Sequence, residues 1–452
     1  MFHSKFAENL INIALEAGAD SAEVYLSEKT ETEITVANSR PESVNIKTDN
    51  GFGLRILVES KLGFYSSNKF EELGVVENVR QLVKASRFHT PDPYNYIPDP
   101  QIQTLSGINE VFDPTIIRIP LTEKIEKAIE IEETGRSFDD RIQGFIWLQY
   151  GDMTERYRII NSAGLDVNSA GSICYGFGYC YATDHDSSQT GRYARAYGRF
   201  DQFDSELIGQ QAARYALRSL GAKTFDGAVM TAMLPPETGI HLMHALFSMI
   251  EADSIQKGKS PFRKKLGKKI ASSPVTIIDD GTLPGGLSTR PYDSEGIPCS
   301  RTVVVENGVL KNYLYDSYTA RKGRTHSTGN ASRSGYHDRP HIQPTNFYLE
   351  AGSQSPSEIM KNISRGILIT ELSGLHAGIN LATADFSVPA KGILIENGEL
   401  GSPVENISIS GNLFDFLNNI TDIGNDLSWE PIDGMIGTPT FVVEELKIVG
   451  KK

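Results

Sequence analysis

The chain has 452 residues, three cysteines and a formal net charge of −13 at pH 7, and no apolar run is long enough for a transmembrane helix. The negative charge opposes nonspecific binding to nucleic acid, because phosphate contacts need a positive surface. Three cysteines form no disulfide framework and the N-terminus has no export signal, so we expect a cytoplasmic protein with two domains.

The first 90 residues predict two helices and a set of short strands. Phe6, Leu10, Ile13 and Ala17 recur at helical spacing and form one apolar stripe. Alternating apolar residues on both sides of 59–61 indicate a hairpin. The predicted elements are a helix near the N-terminus, strands over 22–25, 31–36 and 43–47, a hairpin over 51–67 and a helix over 71–86.

The segment 89–113 is rich in proline, aspartate and tyrosine and has no periodicity, so it predicts a linker at the surface. Gly221 marks the predicted boundary between an N-terminal α+β domain over 1–222 and a C-terminal β-rich domain over 223–452. Before this boundary the sequence predicts helices over 122–134 and 206–220, and antiparallel strands over 144–182 that break at 151–152, 163–164 and 170–171.

The second half is rich in predicted strands. Asn307-Gly308 and Asn397-Gly398 each follow a run of aliphatic residues. Asn-Gly suits the two central positions of a type I′ turn, because both positions need positive φ, so both sites predict hairpins. Two such hairpins indicate a sandwich or a barrel-like domain. The predicted fold class is therefore α+β, with an antiparallel sheet in the N-terminal domain.

The segment 239–260 is the most informative for function, and it predicts a helix that starts after two prolines. His241 and His244 lie on one polar stripe with Ser248 and Glu251, which suggests a zinc site. The spacing argues against one. A zinc helix of the HExxH type places its histidines four apart with a glutamate between them. These histidines are three apart, and the simpler interpretation is two helix histidines with ordinary hydrogen bonds.

Other motifs do not amount to a site. Gly258-Lys259-Ser260 resembles the end of a phosphate-binding loop. However, Asp253 occupies the position of the required first glycine, and a predicted helix precedes the segment instead of a strand. His337 and His341 lie in a loop that contains proline and could supply metal ligands. No three candidate ligands fall within one element, which is the minimum for a zinc prediction.

Many short motifs in a fixed order resemble those of the TldD/PmbA family, which is described as metallopeptidases and as modulators of DNA gyrase. The resemblance covers nearly the full length and is most specific in the second half. The matching segments there are 252–253, 257–260, 276–286, 293–298, 301–314, 320–321, 329–331, 345–346, 401–411, 423–427 and 437–439.

In the TldD-like branch of this family, an HExxxH helix and a cysteine near the C-terminus hold zinc. Aligning Asp253 and Gly258 with the family pattern places the HExxxH positions at Met243, His244 and Ser248, and no cysteine follows residue 426. The resemblance therefore implies the PmbA branch, also called TldE, with no catalytic residue, metal or other cofactor expected on this chain. It implies that zinc lies on a TldD-like partner, and that the pair degrades short or unfolded peptides.

Other hypotheses remain open, and the chain could also form a homodimer when alone. A self-sufficient peptidase would use His241 and His244 with His337 or His341. A modulator would bind DNA gyrase or another protein, whereas the charge disfavours direct binding to nucleic acid and no membrane association is expected. The residues predicted to line a peptide groove are His241, His244, Asp280, Arg301 and Asn330.

Overall fold

A computed structural model describes residues 3–100 and 111–450 of the chain. One sheet takes all its strands from residues 21–197, and the remaining sheets take theirs from 223–450. The division into domains at residue 222 stays a prediction. Of the predicted linker over 89–113, residues 101–110 lie outside the described residues, and the remainder forms no helix or strand.

The described part of the first half folds into four α-helices and six strands. In chain order they are α1 (Ser4–Glu16), β1 (Ser21–Ala37), β2 (Arg40–Val58), β3 (Lys61–Ser67), α2 (Glu72–Ser86), α3 (Leu121–Arg136), β4 (Ile142–Asn161), β5 (Asp166–Asp184), β6 (Ser187–Tyr197) and α4 (Ser205–Leu217). Short 3₁₀ helices precede α3 and α4, at Ile116–Arg118 and Phe200–Gln202. The strands form one antiparallel sheet in the order β3-β2-β1-β4-β5-β6.

Two pairs of helices cover this sheet. α1 and α2 pack on the part formed by β1, β2 and β3, and α3 and α4 pack on β4, β5 and β6. The buried face of α1 carries Ala7, Leu10, Ile11 and Ala14. The predicted stripe through Phe6 and Ala17 is therefore the half-buried flank of that face, and the helix is rotated slightly from the predicted orientation.

The strands of this sheet are longer than the sequence predicts. Only the predicted break at 163–164 is a turn, between β4 and β5, and those at 151–152 and 170–171 are wrong. Gly151 lies within β4 directly opposite Tyr175, and a Cβ atom there would overlap the tyrosine ring. Glycine in the middle of a strand here makes room for a side chain and does not end the strand.

The described part of the second half folds into six α-helices and fifteen strands. They are β7 (Lys223–Thr224), β8 (Gly227–Leu234), α5 (Pro236–Ile250), α6 (Ala252–Gln256), β9 (Ile277–Asp280), β10 (Arg301–Glu306), β11 (Val309–Leu310), α7 (Ser317–Gly323), β12 (Ala331–Ser332), β13 (His341–Ile342), β14 (Asn346–Leu349), α8 (Pro356–Lys361), β15 (Arg365–Leu372), α9 (Leu375–Gly378), β16 (Asp385–Glu396), β17 (Glu399–Asn412), α10 (Leu413–Asn418), β18 (Ile420–Ile423), β19 (Ser428–Pro431), β20 (Met435–Thr438) and β21 (Phe441–Gly450).

Five of these strands close into a barrel, because β21 pairs with both β8 and β17, while β15 and β16 join β8 to β17. A second sheet has the order β11-β10-β9-β14-β20-β19. Both predicted Asn-Gly turns are present, with φ of 48° and 79° at Asn307 and Gly308 and 53° and 79° at Asn397 and Gly398. The predicted α+β class and the barrel-like second domain are confirmed.

The main core of the second half lies between the barrel and the second sheet, and α5 packs against both. The length and composition of the helices bear on membrane insertion. Among residues 3–100 and 111–450, no helix has both the length and the apolar character to cross a bilayer.

Candidate functional site

The histidine-containing segment is two helices and not one. Pro236 occupies the first turn of α5 as predicted, since its missing N–H needs no partner there. α5 ends at Ile250, because Glu251 takes an extended conformation with φ −62° and ψ 139° and forms a β-bridge with Leu314. The polar face of α5 therefore stops short of the predicted end of the helix at 260.

The three positions that align with the HExxxH pattern do not face the same way. Met243 is fully buried in the core of the second half, whereas His244 and Ser248 lie on the half-buried side of α5. Side chains five residues apart on an α-helix are separated by about 140° around its axis. A residue at 243 therefore points into the core while a residue at 248 points away from it.

His241 is held by an arginine from the first sheet. A guanidinium nitrogen of Arg192, on β6, lies 2.9 Å from His241 Nε2. Arginine can only donate, so Nε2 accepts and the imidazole is neutral. The pKa of His241 is lowered to about 4, chiefly by burial, with the charges of Arg192 and His244 acting in the same direction.

His244 has a weaker and more exposed partner. Its Nε2 lies 3.3 Å from Asp433 Oδ2, with side-chain exposures of 31% and 65%. Ser248 Oγ donates to the carbonyl oxygen of His244 at 3.2 Å, so this hydroxyl binds its own helix. The polar face of α5 is thus tied to β6 through one histidine and to the loop after β19 through the other.

This face borders a cavity of about 710 Å³ between the two halves of the molecule. One wall is α5, and β5 and β6 form another. The segment from the end of β15 through α9 forms the third wall. The side chains that face the cavity from outside α5 include Phe177, Tyr179, Arg192, Leu372, Leu375 and His376.

A second cavity of about 440 Å³ lies on the other side of Asp433, between β1, β4 and β5 and the loops of the second sheet. Its charged lining includes Glu31, Glu33, Glu155 and Arg290. Burial raises the pKa of Glu155 although Lys29 and Arg290 act in the opposite direction. Asp433 borders this cavity and contacts His244, which borders the first one, so this pair lies between the two cavities. We call the 710 Å³ cavity beside α5 the cleft.

Three of the predicted groove residues lie elsewhere, with Asp280 on β9 and Arg301 on β10 of the second sheet and Asn330 in the loop before β12. Asn330 is fully buried, and its Nδ2 donates to Asp279 Oδ2 at 2.7 Å. Asp280 is also buried and accepts from the backbone and hydroxyl of Thr282. Arg301 is half exposed and lies 3.9 Å from Asp280. The structure brings His241 and His244 together but separates them from these three residues, which support the sheet.

The available donors do not fit a zinc ion. Arg192 occupies Nε2 of His241 with a permanent positive charge, and a metal ligand must be neutral imidazole with that lone pair free. His341 lines a different cavity from His241 and His244. Within the ranges that the structure describes, no three His, Cys, Asp or Glu side chains are grouped for a metal.

A buried ionic network joins the first sheet to the second half at a different place. Arg55 Nη2 donates to Glu23 Oε2 and Arg55 Nη1 to Glu295 Oε1, both at 2.9 Å. Arg333 pairs with the second oxygen of Glu23. Burial alone would raise the pKa of Glu23, but Arg55 and Arg333 hold it below its ordinary value. Glu23 and Arg55 belong to the first sheet and the other two to the second half, so the network joins them.

The sequence did not predict Arg192, Glu155 or Asp433. Each acts on a residue from a distant part of the chain, and none belongs to a recognisable motif. The segment 191–199 contains three arginines and two tyrosines. Arg192 and Arg195 are three positions apart on β6, so they point to opposite faces of the sheet, and the sequence alone does not show which of them reaches α5.

An open antiparallel half-barrel sheet is joined here to a closed five-stranded barrel, and the proteins that this chain matches place it in a metallopeptidase-like class. Three family profiles match the chain: PmbA/TldA metallopeptidase domain 1 over 22–88, the central domain over 114–220 and the C-terminal domain over 227–450. The chain belongs to the PmbA/TldD family, which confirms the resemblance found in its motifs.

Relatives match along the whole chain. Metalloprotease PmbA of Escherichia coli O157:H7 is 27% identical over 99% of this chain and 97% of its own. A crystal structure from Thermotoga maritima, described as a proposed modulator of a DNA gyrase, is 29% identical with a TM-score of 0.90, covering 98% and 99% of the chains. TldE from Thermococcus kodakarensis also has a TM-score of 0.90 over 98% and 100%, and its 23% identity supports the fold alone.

Proposed function

We propose that this chain is the metal-free, PmbA/TldE-like subunit of a two-subunit metallopeptidase that degrades short or unfolded peptides in the cytoplasm. The observation that carries the proposal is the 2.9 Å contact between Arg192 and His241, which places a fixed cation against the helix histidine. In this assembly zinc lies on a TldD-like partner and activates the attacking water there. This chain contributes a peptide cleft between its own two halves.

The cleft suits an extended peptide for two reasons. It runs between α5 and the face of β5 and β6, where Phe177 and Tyr179 offer aromatic contacts. The neutral imidazole of His241 and the carboxylate of Asp433 offer polar contacts beside them. Mostly apolar clefts with a few polar groups are the usual form of ligand sites, and domain boundaries are their usual place.

The test is co-expression of this chain with a TldD-like partner. Size-exclusion chromatography, zinc analysis and a peptide-cleavage assay are applied to each chain alone and to the pair. We expect a stable pair with zinc in the partner, and cleavage by the pair but not by this chain alone. His241→Ala and His244→Ala in this chain should leave the zinc content of the pair unchanged.

Two results would contradict the proposal. Stoichiometric zinc in the purified native chain, lost in His241→Ala or His244→Ala, would support a self-sufficient peptidase. A homodimer that cleaves peptide without a partner would also support a self-sufficient peptidase. Size-exclusion chromatography of the chain alone shows directly whether it forms a homodimer.

A binding role is the second candidate, favoured by one surface feature. A basic segment over 257–269 is largely exposed on this acidic chain. Lys257 in this segment pairs with Asp253 at 2.6 Å, and Lys265 lies over the Phe414 ring, so part of its charge is already engaged. Salt-dependent retention on DNA or gyrase that disappears when the segment is neutralised would favour this role.

A further inference from the structure

A third cavity, of about 660 Å³, lies at the N-terminal end of α5, next to the cleft. Both halves of the molecule contribute its walls. The apolar and aromatic residues that line it include Tyr193, Tyr215, Met233, Leu368 and Leu400. Glu237 and Glu430 also face this cavity, so carboxylates lie among aromatic rings.

The two carboxylates are not equivalent. Glu237 is paired with Arg218, whose Nη1 donates to Oε1 at 3.0 Å. The Glu430 side chain makes no hydrogen bond or ion pair among the residues that the structure describes, although it lies in the partly buried strand β19. Burial raises the pKa of Glu430 to about 7, against the opposing effect of Arg192.

The other charged groups around Glu430 are already engaged. Arg192, from β6, binds His241, and Arg218, from α4, binds Glu237 of α5. Asp426, from the loop before β19, accepts from the backbone N and the hydroxyl of Thr440 at 2.9 and 2.7 Å. Glu430 is therefore the carboxylate at this cavity that is left without a partner.

The strand that carries Glu430 is firmly placed. Trp429, the preceding residue, points to the opposite face of the sheet, because neighbouring residues of a strand alternate between its faces. Its ring packs over Gly437, where a Cβ atom would come 2.7 Å from the indole ring, and contacts Tyr348, with centroids 5.3 Å apart. Glu430 therefore lies on the face that it shares with the buried Ile436 of the neighbouring strand.

We propose that this cavity is a subsite for a cationic group of a peptide, an alkylammonium or a guanidinium, with Glu430 as the counter-charge. A partly buried carboxylate without a partner loses part of its hydration, and a bound cation would offset that loss. The inference rests on the proposed peptide cleft and deepens it by naming the chemistry preferred at one end. The cation could be a lysine or arginine side chain or a free amino terminus.

Calorimetry on the purified full-length chain tests this subsite without the partner or any cleavage. The probes are N-acetylated, C-amidated tripeptides with lysine, arginine or norleucine between two alanines, and an unblocked norleucine tripeptide. We expect the lysine or arginine peptide to bind at least about tenfold more tightly than blocked norleucine, as one charge-assisted contact would give. Preference for the unblocked norleucine peptide would assign the subsite to the amino terminus.

Glu430→Gln keeps the shape of the side chain and removes its charge. The cation preference should fall to within about twofold in this variant. The matched control is Glu444→Gln, an exposed carboxylate on β21, which should keep the full preference. Affinity of the lysine peptide should rise between pH 6 and 8 as Glu430 ionises, while that of blocked norleucine should not.

Two outcomes overturn the subsite. One is equal binding of all four peptides, which leaves the peptide cleft itself supported. The other is a cation preference that survives in Glu430→Gln, when circular dichroism shows the variant folded. Absence of binding by every peptide would count against both the subsite and the cleft, whereas failure to pair with a TldD-like partner would count against the proposed function alone.

Discussion

Arg192 of the first sheet donates a hydrogen bond to His241 of α5 across the cleft, with 2.9 Å between the guanidinium nitrogen and His241 Nε2. The contact has two effects at once. It connects the walls of the cleft, and it fixes His241 as a neutral acceptor whose remaining proton lies on Nδ1. A histidine that the sequence suggested as a metal ligand thus serves as the partner of a cation.

Replacing Arg192 with glutamine should raise the pKa of His241. Burial is the largest cause of its present value of about 4 and persists in the variant, so the pKa should stay below the ordinary 6.5. NMR titration of the imidazole measures this directly. Arg195→Gln, the same charge change on the same strand, is the control, and an unchanged His241 pKa in Arg192→Gln would contradict the assigned contact.

The lowered pKa of His241 in the native protein also predicts that stability depends on pH. Between about pH 4 and 6.5 the unfolded chain binds a proton at His241 that the folded chain does not. The contribution of His241 to stability is therefore full above pH 6.5 and declines as the pH falls toward 4. Arg192→Gln should raise the lower limit of this pH range, because it raises the pKa of His241 in the folded chain. Urea denaturation at several pH values would detect the change.

Asn330→Ala should destabilise the fold by about 1–3 kcal/mol, the cost of leaving buried polar groups without partners. Asn330 accepts from Thr328 Oγ1 at 2.6 Å and donates to Asp279 and to the carbonyl oxygen of Gln343. Urea denaturation measures the loss. Asn312→Ala, which removes an exposed amide with one backbone hydrogen bond, is the control. Equal effects of both changes would show that Asn330 is not a structural support.

Arg333→Met should destabilise the protein by about 3–5 kcal/mol, as breaking one partner of a buried ion pair usually does. Glu23 would keep only Arg55, in a site from which water is excluded. The control is Arg199→Gln, whose partner Asp201 is exposed, and it should leave the free energy of unfolding unchanged. A small effect of Arg333→Met would mean that the network adds little to the joint between the halves.

Gly437→Ala should displace Trp429, because the new methyl group would lie 2.7 Å from the indole ring. The expected result is a shift in tryptophan fluorescence together with a loss of stability of about 1–3 kcal/mol from overpacking. The measurement is made in a Trp147→Phe background, which removes the fluorescence of the other tryptophan of the chain. Gly434→Ala, on a residue whose φ is 122°, would strain the same hairpin without touching Trp429 and serves for comparison.

Features set by neighbouring residues could be predicted from the sequence. The Asn307-Gly308 and Asn397-Gly398 turns follow from positive φ, which these residue types adopt at low cost. Pro236 marks the start of α5 for an equally local reason. The α+β class and the family motifs also followed from short stretches of chain.

Features set by distant residues could not be predicted in this way. Gly151 looks like a turn residue, but the Tyr175 ring opposite it is the reason for the glycine. α5 ends at Ile250 because Glu251 bridges to Leu314, and the sequence around 251 contains no stop signal. The contact between Arg192 and His241 depends on how the two halves dock, which hydrophobic periodicity does not report.

The ionic network also orders events during synthesis of the chain. Glu23 and Arg55 leave the ribosome early and can pair with each other, since only 32 positions separate them. Arg333, the second partner of Glu23, is made 310 residues after it. One oxygen of Glu23 therefore lacks its partner until the last third of the chain emerges, and the ionic joint between the first sheet and the second half can be completed only then.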